Sequence, residues 1–499
     1  MIVIEITLGP AQTKEFHYVN AVDGTAEAAL AAYDQIQSGF DQTRHQNEAD
    51  FNRLLQSAFT EGNSELSGYL PQLETDDESL WQLYHAGFKN LLFARRPSPD
   101  SKHGTTYITL GGHVLPTLSF PWDTSLTSLS LALLDPEALR RLVENWFVHD
   151  MHQHLATDYV TAEAVGPWYG VNDMAIVRGG ENYLRVTGDF AWLDKKVGDR
   201  SALDHLITHA TYWKQLNKRG HGFGDYGKIE NLLEVVSTYL HETAGMKAGN
   251  VSSMRFVADL LERRGESTRA AQLRADATEL AQRINQKLYA TGTGWWKCGQ
   301  PDGSFVEVRH CYDFLAVLDN MASDLSDAQK KEMSRFFWEE LHSEYWMRAL
   351  SPNDVDATWN IRPDHSWLGA YAAWPPATAK GLYKIDHSER VAPWVKNLAK
   401  AGNQGPIVQA HFVETVFPLE DGAAYKCPND PPYINDWCCI AGGGFTDLVI
   451  DRIFGADLTL FGGIKTQPKL KDFDANARLV NLRHQGKKYA VSANGALIS

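Results

Sequence analysis

Three observations predict a mainly helical fold with β pieces at both ends. Apolar residues recur at three- and four-residue steps through roughly a dozen segments between about residue 75 and residue 455. Gly-, Pro- and Asp-rich loops separate these segments at the spacing of helical hairpins. Period-two alternation is confined to the two ends of the chain. No internal repeat marks a solenoid. About a dozen helices whose long loops are aromatic and acidic point to an (α/α)6 toroid. The expected organisation is a β-strand and linker-helix segment over 1–75, the helical domain over 76–455 and a β-appendage over 456–499.

Ile2, Ile4 and Ile6 share one face of a predicted first strand. The opening stretch has neither a basic region nor a small-residue cleavage site, so a signal peptide is not expected. A cytoplasmic protein, or a chain that starts inside a longer parent, fits that. Ala26, Leu30, Tyr33 and Ile36 predict a helix over 24–59, and a second is expected over 80–93. Asp135 before Pro136 reads as an N-cap followed by Pro at the first helical position, with Leu139, Leu142 and Trp146 on the buried face. Met254, Val257 and Leu261 form the next stripe, which Gly265 ends. Ala277, Leu280, Ile284 and Leu288 carry another, and Ser326 with Gln329 forms a capping box. Gly442, Gly443 and Gly444 read as a close-packing site in the last helical run. The pairs Leu458/Leu460, Val480/Leu482 and Tyr489/Val491 predict closing strands.

Composition narrows the function. The 499 residues are 43% hydrophobic and 22% charged, with 47 basic against 62 acidic side chains and a net charge of −15. Mean hydropathy is −0.34. This balance excludes a nucleic acid or an anionic membrane as partner. No apolar run reaches the ~18 residues a bilayer span needs. The five cysteines form no C-x-x-C pair and read as reduced thiols.

The 15 Trp and 19 Tyr often stand beside acidic residues or Gly-Pro turns, where flat rings suit stacking on sugars. Four stretches concentrate this chemistry. The first holds Trp122 and Asp123 ahead of an apolar helix, where Asp123 reads as a cap or a ligand contact. The second, with Trp168, Tyr169, Asn172 and Asp173, is again an aromatic turn before a helix. Asn172 and Asp173 fit a cap, or the paired hydrogen bonds that bind sugar hydroxyls.

The third stretch runs from Asp225 through Glu230 to Glu234. Glu230 and Glu234 are four residues apart and share a helix face, where mutual repulsion raises a carboxyl pKa. Leu232, Leu233, Val235 and Val236 surround Glu234. An acid in apolar surroundings keeps its proton at neutral pH, as a general acid must. In the fourth stretch Glu414, near His411, is a lone carboxylate among apolar and aromatic residues. Between the third and fourth lie Arg348, Asp364, His365 and Trp367, which read as hydroxyl-binding groups or loop-bracing pairs.

Metal and cofactor chemistry finds no support here. His152 and His154 lack a third ligand nearby in the sequence and read as surface residues. There is no G-x-S-x-G elbow, no H-E-x-x-H helix and no Walker lysine after the Gly442–Gly444 run. Neither a metal nor an organic cofactor is expected.

The order of motifs resembles the six-hairpin inverting glycosidases, closest to glycoside hydrolase family 63 (processing α-glucosidase, bacterial mannosylglycerate hydrolase), with trehalases as relatives. The matching residues are Trp122-Asp123, then Leu134-Asp135-Pro136-Glu137, then Pro167-Trp168, then Tyr183-Leu184 with Gly188-Asp189. The group's general acid is an Asp four residues after a Glu. Here the match is Glu230 and Glu234 ahead of Tyr239, with Glu in place of Asp and the intervening Ser-Gly lost. Asp225, in Gly224-Asp225-Tyr226, is the rival alignment. The group's general base is a Glu before an aromatic-Pro-Gly turn, matched by Glu414, Pro418 and Gly422. The likeness covers roughly residues 75–465.

Inverting hydrolysis needs one protonated and one ionised carboxyl about 6.5–9.5 Å apart. Positions on different hairpins of a toroid can supply that gap. The expectation is therefore an inverting exo-acting α-glycoside hydrolase, with Glu234 or Asp225 as acid and Glu414 as base. Its partner is a carbohydrate, and self-association into a homo-oligomer stays open. An epimerase or polysaccharide lyase with His241, His310, His365 or His411 as base is the enzymatic alternative. A non-catalytic sugar-binding protein is the third.

Overall fold

A computed structural model describes residues 5–97, 101–109, 117–228, 236–357, 365–386, 388–402, 411–419, 422–426 and 439–498, with the backbone alone for 401–402, 411–419 and 422–426. The chain divides into two compact units, Met1–Ser57 and Ala58–Ser499.

In the first unit two helices, α1 (Ala26–Ser38) and α2 (Phe40–Ser57), replace the single helix expected over 24–59. Gly39 ends α1, and the Thr25 hydroxyl opens it by accepting from the Ala28 N–H at 3.2 Å. Residues 5–22 carry no strand, contrary to the period-two reading, and residues 1–4 lie outside the described set. Alternation alone does not hold a strand that has no hydrogen-bonded neighbour.

The second unit carries α3 (Glu78–Ala94), α4 (Pro121–Ser125), α5 (Ser128–Leu134), α6 (Pro136–Val148), α7 (Asn172–Thr187), α8 (Ala202–Thr211), α9 (Ala244–Arg263), α10 (Ser267–Lys287), α11 (Cys311–Met321), α12 (Asp327–Phe336), α13 (Trp374–Ile385), α14 (Val391–Gly402) and α15 (Gly444–Leu448). Their contacts follow a pattern. Helix α5 packs on α7, α7 on α9, α9 on α11, α11 on α13, α13 on α15, and α15 on α5. The remaining helices pack on these six: α4 against α7, α6 against α5 and α7, α8 against α7 and α9, α10 against α9, α12 and α14 against α13, and α3 against α15.

The helical stripes read from the sequence are buried. Leu139, Leu142 and Trp146 of α6 face the core, as do Met254, Val257 and Leu261 of α9 and Ala277, Leu280 and Ile284 of α10. The Ser326–Gln329 capping box is formed in full. Asp135 occupies the N-cap position of α6, yet its carboxylate turns away from the helix. It accepts from Ser67 Oγ at 2.6 Å and Tyr107 OH at 3.1 Å, so Pro136 begins the helix without a side-chain cap.

The glycine run is a packing device. A Cβ on Gly442 would overlap the Asn90 side chain, and one on Gly443 would overlap the Thr127 hydroxyl.

The closing strands pair antiparallel in the order Gln72–Glu74, Arg478–His484, Lys487–Ser492, Gly495–Ile498, so residues 72–74 belong to the same sheet as the C-terminus. The buried pair in the second strand is Leu479 and Leu482, not Val480 and Leu482. Asn481 sits at φ +64° in a bulge, where the register shifts by one and reverses the faces.

Candidate active site

The chemistry-bearing side chains gather where the second unit's helices begin. Asp123 lies in the first turn of α4, Asn172 and Asp173 open α7, Asp313 is in the first turn of α11, and Trp374 opens α13. Helix N-termini present unsatisfied N–H groups and partial positive charge, which favour carboxylates there. Neither Asn172 nor Asp173 caps its helix through its side chain. Both are buried, and Asn172 donates through Nδ2 to the His154 carbonyl at 2.9 Å.

Asp123 is buried, and its Oδ1 accepts a short hydrogen bond from Tyr371 OH. The Tyr371 hydroxyl also touches Cys439 Sγ, which lies 3.5 Å from the same carboxylate oxygen. Rings wall this carboxylate. Trp122 meets Tyr312 edge-on at 5.5 Å and Trp374 at 6.0 Å, and Tyr371 meets Trp374 at 5.4 Å. His365, one of the residues expected at the site, stacks parallel to Tyr371 at 6.3 Å and to His310 at 5.8 Å.

Asp313 forms the floor beside this cluster. Its Oδ1 accepts from Tyr239 OH at 2.7 Å and from the Gly245 N–H at 2.6 Å. Burial pushes its pKa up to about 6, in spite of those two donors and the nearby Lys247. Lys247 is fully buried, donates to the Thr243 carbonyl at 3.1 Å and lies over the Phe223 and Tyr226 rings at 5.2 and 5.3 Å. Burial lowers its pKa to about 8.

Trp168 is tilted against Tyr226 at 6.2 Å, which brings the second aromatic stretch to the same wall. Tyr169 is close enough to act electrostatically on Tyr312. Asp225 joins this wall as a charged group. Burial raises its pKa, but the Gly227 N–H at 2.9 Å, His241 at 2.9 Å and Arg219 at 2.7 Å together hold it below the usual carboxylate range. His241 itself adopts φ +58°, a left-handed conformation uncommon for a side-chain-bearing residue.

Other expected residues fall elsewhere. Arg348 bonds the His342 carbonyl at 3.0 Å and its own N–H reaches the Leu341 carbonyl, so it braces a turn outside the cluster. Trp367 is exposed. Glu230, Glu234 and Asp364 lie outside the described residues. For His411 and Glu414 the backbone alone is described, in a strand spanning His411–Leu419. That strand pairs antiparallel with Gly369–Tyr371, setting His411 opposite Tyr371, and on its other edge Glu414 faces Ala424.

The surface role expected for His152 is not what the structure shows. Its Nε2 lies 2.8 Å from Asp173 Oδ1, which His209 Nδ1 also approaches at 2.8 Å. Sequence spacing missed this partner because His209 is 57 residues further on, at the end of α8. It also missed Tyr371, Asp313 and Lys247, whereas His310 enters only as a candidate base of the alternative enzyme. The aromatic neighbourhood of Tyr371-Ala372-Ala373-Trp374 was the one available signal.

No known family matches this chain, and no curated protein matches it. Among solved structures it is similar to a sialidase, with a TM-score of 0.62 and 13% identity over 89% of this chain and 41% of that one. It is also similar to a GH78 family rhamnosidase of Bacillus sp. GL1 (TM-score 0.60, 12% identity, 84% of this chain and 40% of that one). A third is the rhamnosidase from Klebsiella oxytoca with rhamnose bound (0.54, 12%, 78% and 66%). The chain thus spans about two fifths of the first two and under two thirds of the third's length. At such identity the likeness is one of fold, and the fold is one that glycosidases use.

Proposed function

We propose that this protein is an inverting exo-acting α-glycoside hydrolase built on an (α/α)6 toroid. The toroid is supported by the succession of contacts from α5 through α7, α9, α11 and α13 to α15 and back to α5, with outer helices backing α5, α7, α9, α13 and α15. The observation that carries the functional reading is Asp123, a buried carboxylate held by Tyr371 and walled by Trp122, Trp374 and Tyr312. An acceptor fixed among flat rings is the chemistry that binds a sugar by its hydroxyls and its apolar face at once.

In this reading Glu414 activates water and Glu234 protonates the leaving oxygen. Asp225, held ionised by Arg219 and His241, suits a binding role better than that of the acid. Asp123, Trp122, Trp168, Tyr169, Asn172 and His365 bind the sugar. The kinship with family 63 rests on motif order. The named neighbours, two rhamnosidases and a sialidase, make a 6-deoxyhexoside the first substrate to try, because a C5 methyl gains from burial against such rings.

The test is a panel of nitrophenyl glycosides and disaccharides, led by the α-rhamnoside. On the substrate turned over, Glu414→Gln and Glu234→Gln are each expected to lose at least 10³-fold in kcat, and anomer-resolved NMR to show inversion. Near-wild-type turnover by both variants overturns the assignment.

A second reading has its own observation. His310 and His365 stack within the cluster, and either could serve as the base of a histidine-based epimerase or lyase. Such an enzyme yields an epimer or an unsaturated uronate, seen by product NMR or ultraviolet absorbance.

A further inference from the structure

We infer that His152, Asp173 and His209 form a binding site for a divalent transition metal of the zinc type. The three come from separate elements: the loop after α6, the first turn of α7 and the last turn of α8. Each offers one donor atom, and the three atoms lie within 4.8 Å of one another. Both imidazole nitrogens stand 2.8 Å from Asp173 Oδ1. Donors each about 2.0–2.1 Å from a tetrahedral zinc ion are separated by roughly 3.3 Å. Each nitrogen must therefore move about half an ångström from Asp173 Oδ1 to admit the ion, with the two nitrogens, within 4.8 Å of each other, closing on the same point.

Two further observations point to a cation. Asp173 is buried and its second oxygen, Oδ2, has no hydrogen-bond partner. A carboxylate oxygen left unserved in the interior is costly, and a cation held by both oxygens of Asp173 removes that cost. Behind His152, its other nitrogen, Nδ1, lies 3.2 Å from Asp150 Oδ1. Metal-bound imidazoles commonly donate their remaining N–H to a carboxylate in this way. The ring nitrogens that meet Asp173 Oδ1 are the ones that would ligate. Ligation thus places each ring's proton on its opposite nitrogen, and for His152 that proton faces Asp150. Both rings stay neutral.

The rings are also fixed in place. Tyr212 stacks on His152 at 3.4 Å, and Phe147 stacks near His209 at 6.1 Å. Two imidazoles and one carboxylate select zinc, cobalt or nickel over calcium or magnesium, which take shells of oxygen. Water completes the shell. Bound metal would fasten the start of α7, which carries Asn172, to α8.

The test begins with protein stripped by a chelator and titrated with Co2+ alone. One equivalent per chain is expected to bind with visible d–d bands, and these bands vanish in His152→Ala. Zn2+ alone is expected to raise the wild-type Tm by several degrees and to leave that of His152→Ala unchanged. Absence of stoichiometric Co2+ binding, or bands that persist in folded His152→Ala, overturns the site. Binding of Ca2+ with no binding of Co2+ or Zn2+ overturns it as well. Should circular dichroism show that His152→Ala does not fold, X-ray absorption on zinc-loaded wild-type protein decides. A shell with two imidazoles supports the site, and any other imidazole number overturns it.

Discussion

Tyr371 carries a demand on Asp123 that one atom tests. Its hydroxyl donates to the buried carboxylate, so Tyr371→Phe keeps the ring packing against Trp374 and His365 while removing that donor. Under the proposed glycosidase function, the variant is expected to lose about 10- to 100-fold in kcat/KM, with unfolding free energy changed by no more than about 1.5 kcal/mol. Steady-state kinetics and urea unfolding read the two separately. Asp313 makes a prediction about pH. Its carboxyl titrates near 6 in the fold because burial disfavours the charge, against about 3.9 in an unfolded chain. Between those values the unfolded chain has released the proton and the folded chain still holds it, so stability falls as pH rises from about 4 to 6 and levels off above. Buried Asp447, also pushed up to about 6, adds to the same descent. Urea midpoints measured from pH 4 to 7 should fall less steeply in Asp313→Asn than in the wild type, and an identical slope would show that Asp313 is not the source. At this scale the sequence was half legible. Trp122, Asp123, Trp168 and His365 announced themselves as polar or aromatic residues in turn-rich loops. Tyr371, Asp313 and Lys247 did not, because each looks like an ordinary core residue until distant segments meet.

Among the elements, helices were the readable part, since a stripe at three- and four-residue steps has to bury one face. What escaped the pattern was backbone geometry that no periodicity reports: the break at Gly39 between α1 and α2, and the bulge at Asn481 that exchanges the faces of the C-terminal strand. Glycines in helices mislead in the other direction. Gly87 lies mid-helix in α3, where alanine gains about 1 kcal/mol from propensity. A Cβ there would overlap the Thr446 hydroxyl and backbone nitrogen, at the crossing of α3 with α15. Backbone cannot swing aside as a flexible side chain can, and overpacking costs about 1–3 kcal/mol. Steric overlap wins. Gly87→Ala is expected to destabilise the protein by about 2 kcal/mol in urea unfolding, and a more stable variant would mean that the two helices can part.

Across the second unit the same order recurs along three of the six helices that pack in succession. Helix α7 begins with Asn172 and carries Arg178 six residues on, α11 has Asp313 and then Asp319, and α13 opens at Trp374 and reaches Lys384. At about 1.5 Å per residue the later positions stand roughly 9–15 Å further along each axis. There Arg178 pairs with Asp319 at 2.7 Å and bonds Asn320 at 2.8 Å, while Lys384 reaches Asp319 at 3.3 Å. These charges line a cavity of about 740 Å³, whereas the helix starts hold the rings and the buried carboxylates. Ring-and-carboxylate clusters and charge pairs thus concentrate at different heights along these helices, although Trp122 shares a smaller cavity with Arg178, Asp319 and Asn320, and composition could not reveal that division because aspartates serve at both heights. The separation predicts how variants combine. Asp319→Asn leaves two cations without their shared partner and is expected to lower stability by about 2 kcal/mol while the folded protein keeps its kcat. Tyr371→Phe is expected to do the reverse. Since Asp319 and Tyr371 share no hydrogen-bond partner, the double variant should show the sum of the single stability losses to within about 0.5 kcal/mol, with the kinetics of Tyr371→Phe alone. A larger coupling in either readout would mean that the two ends act as one network, and that the charged cavity belongs to the binding machinery.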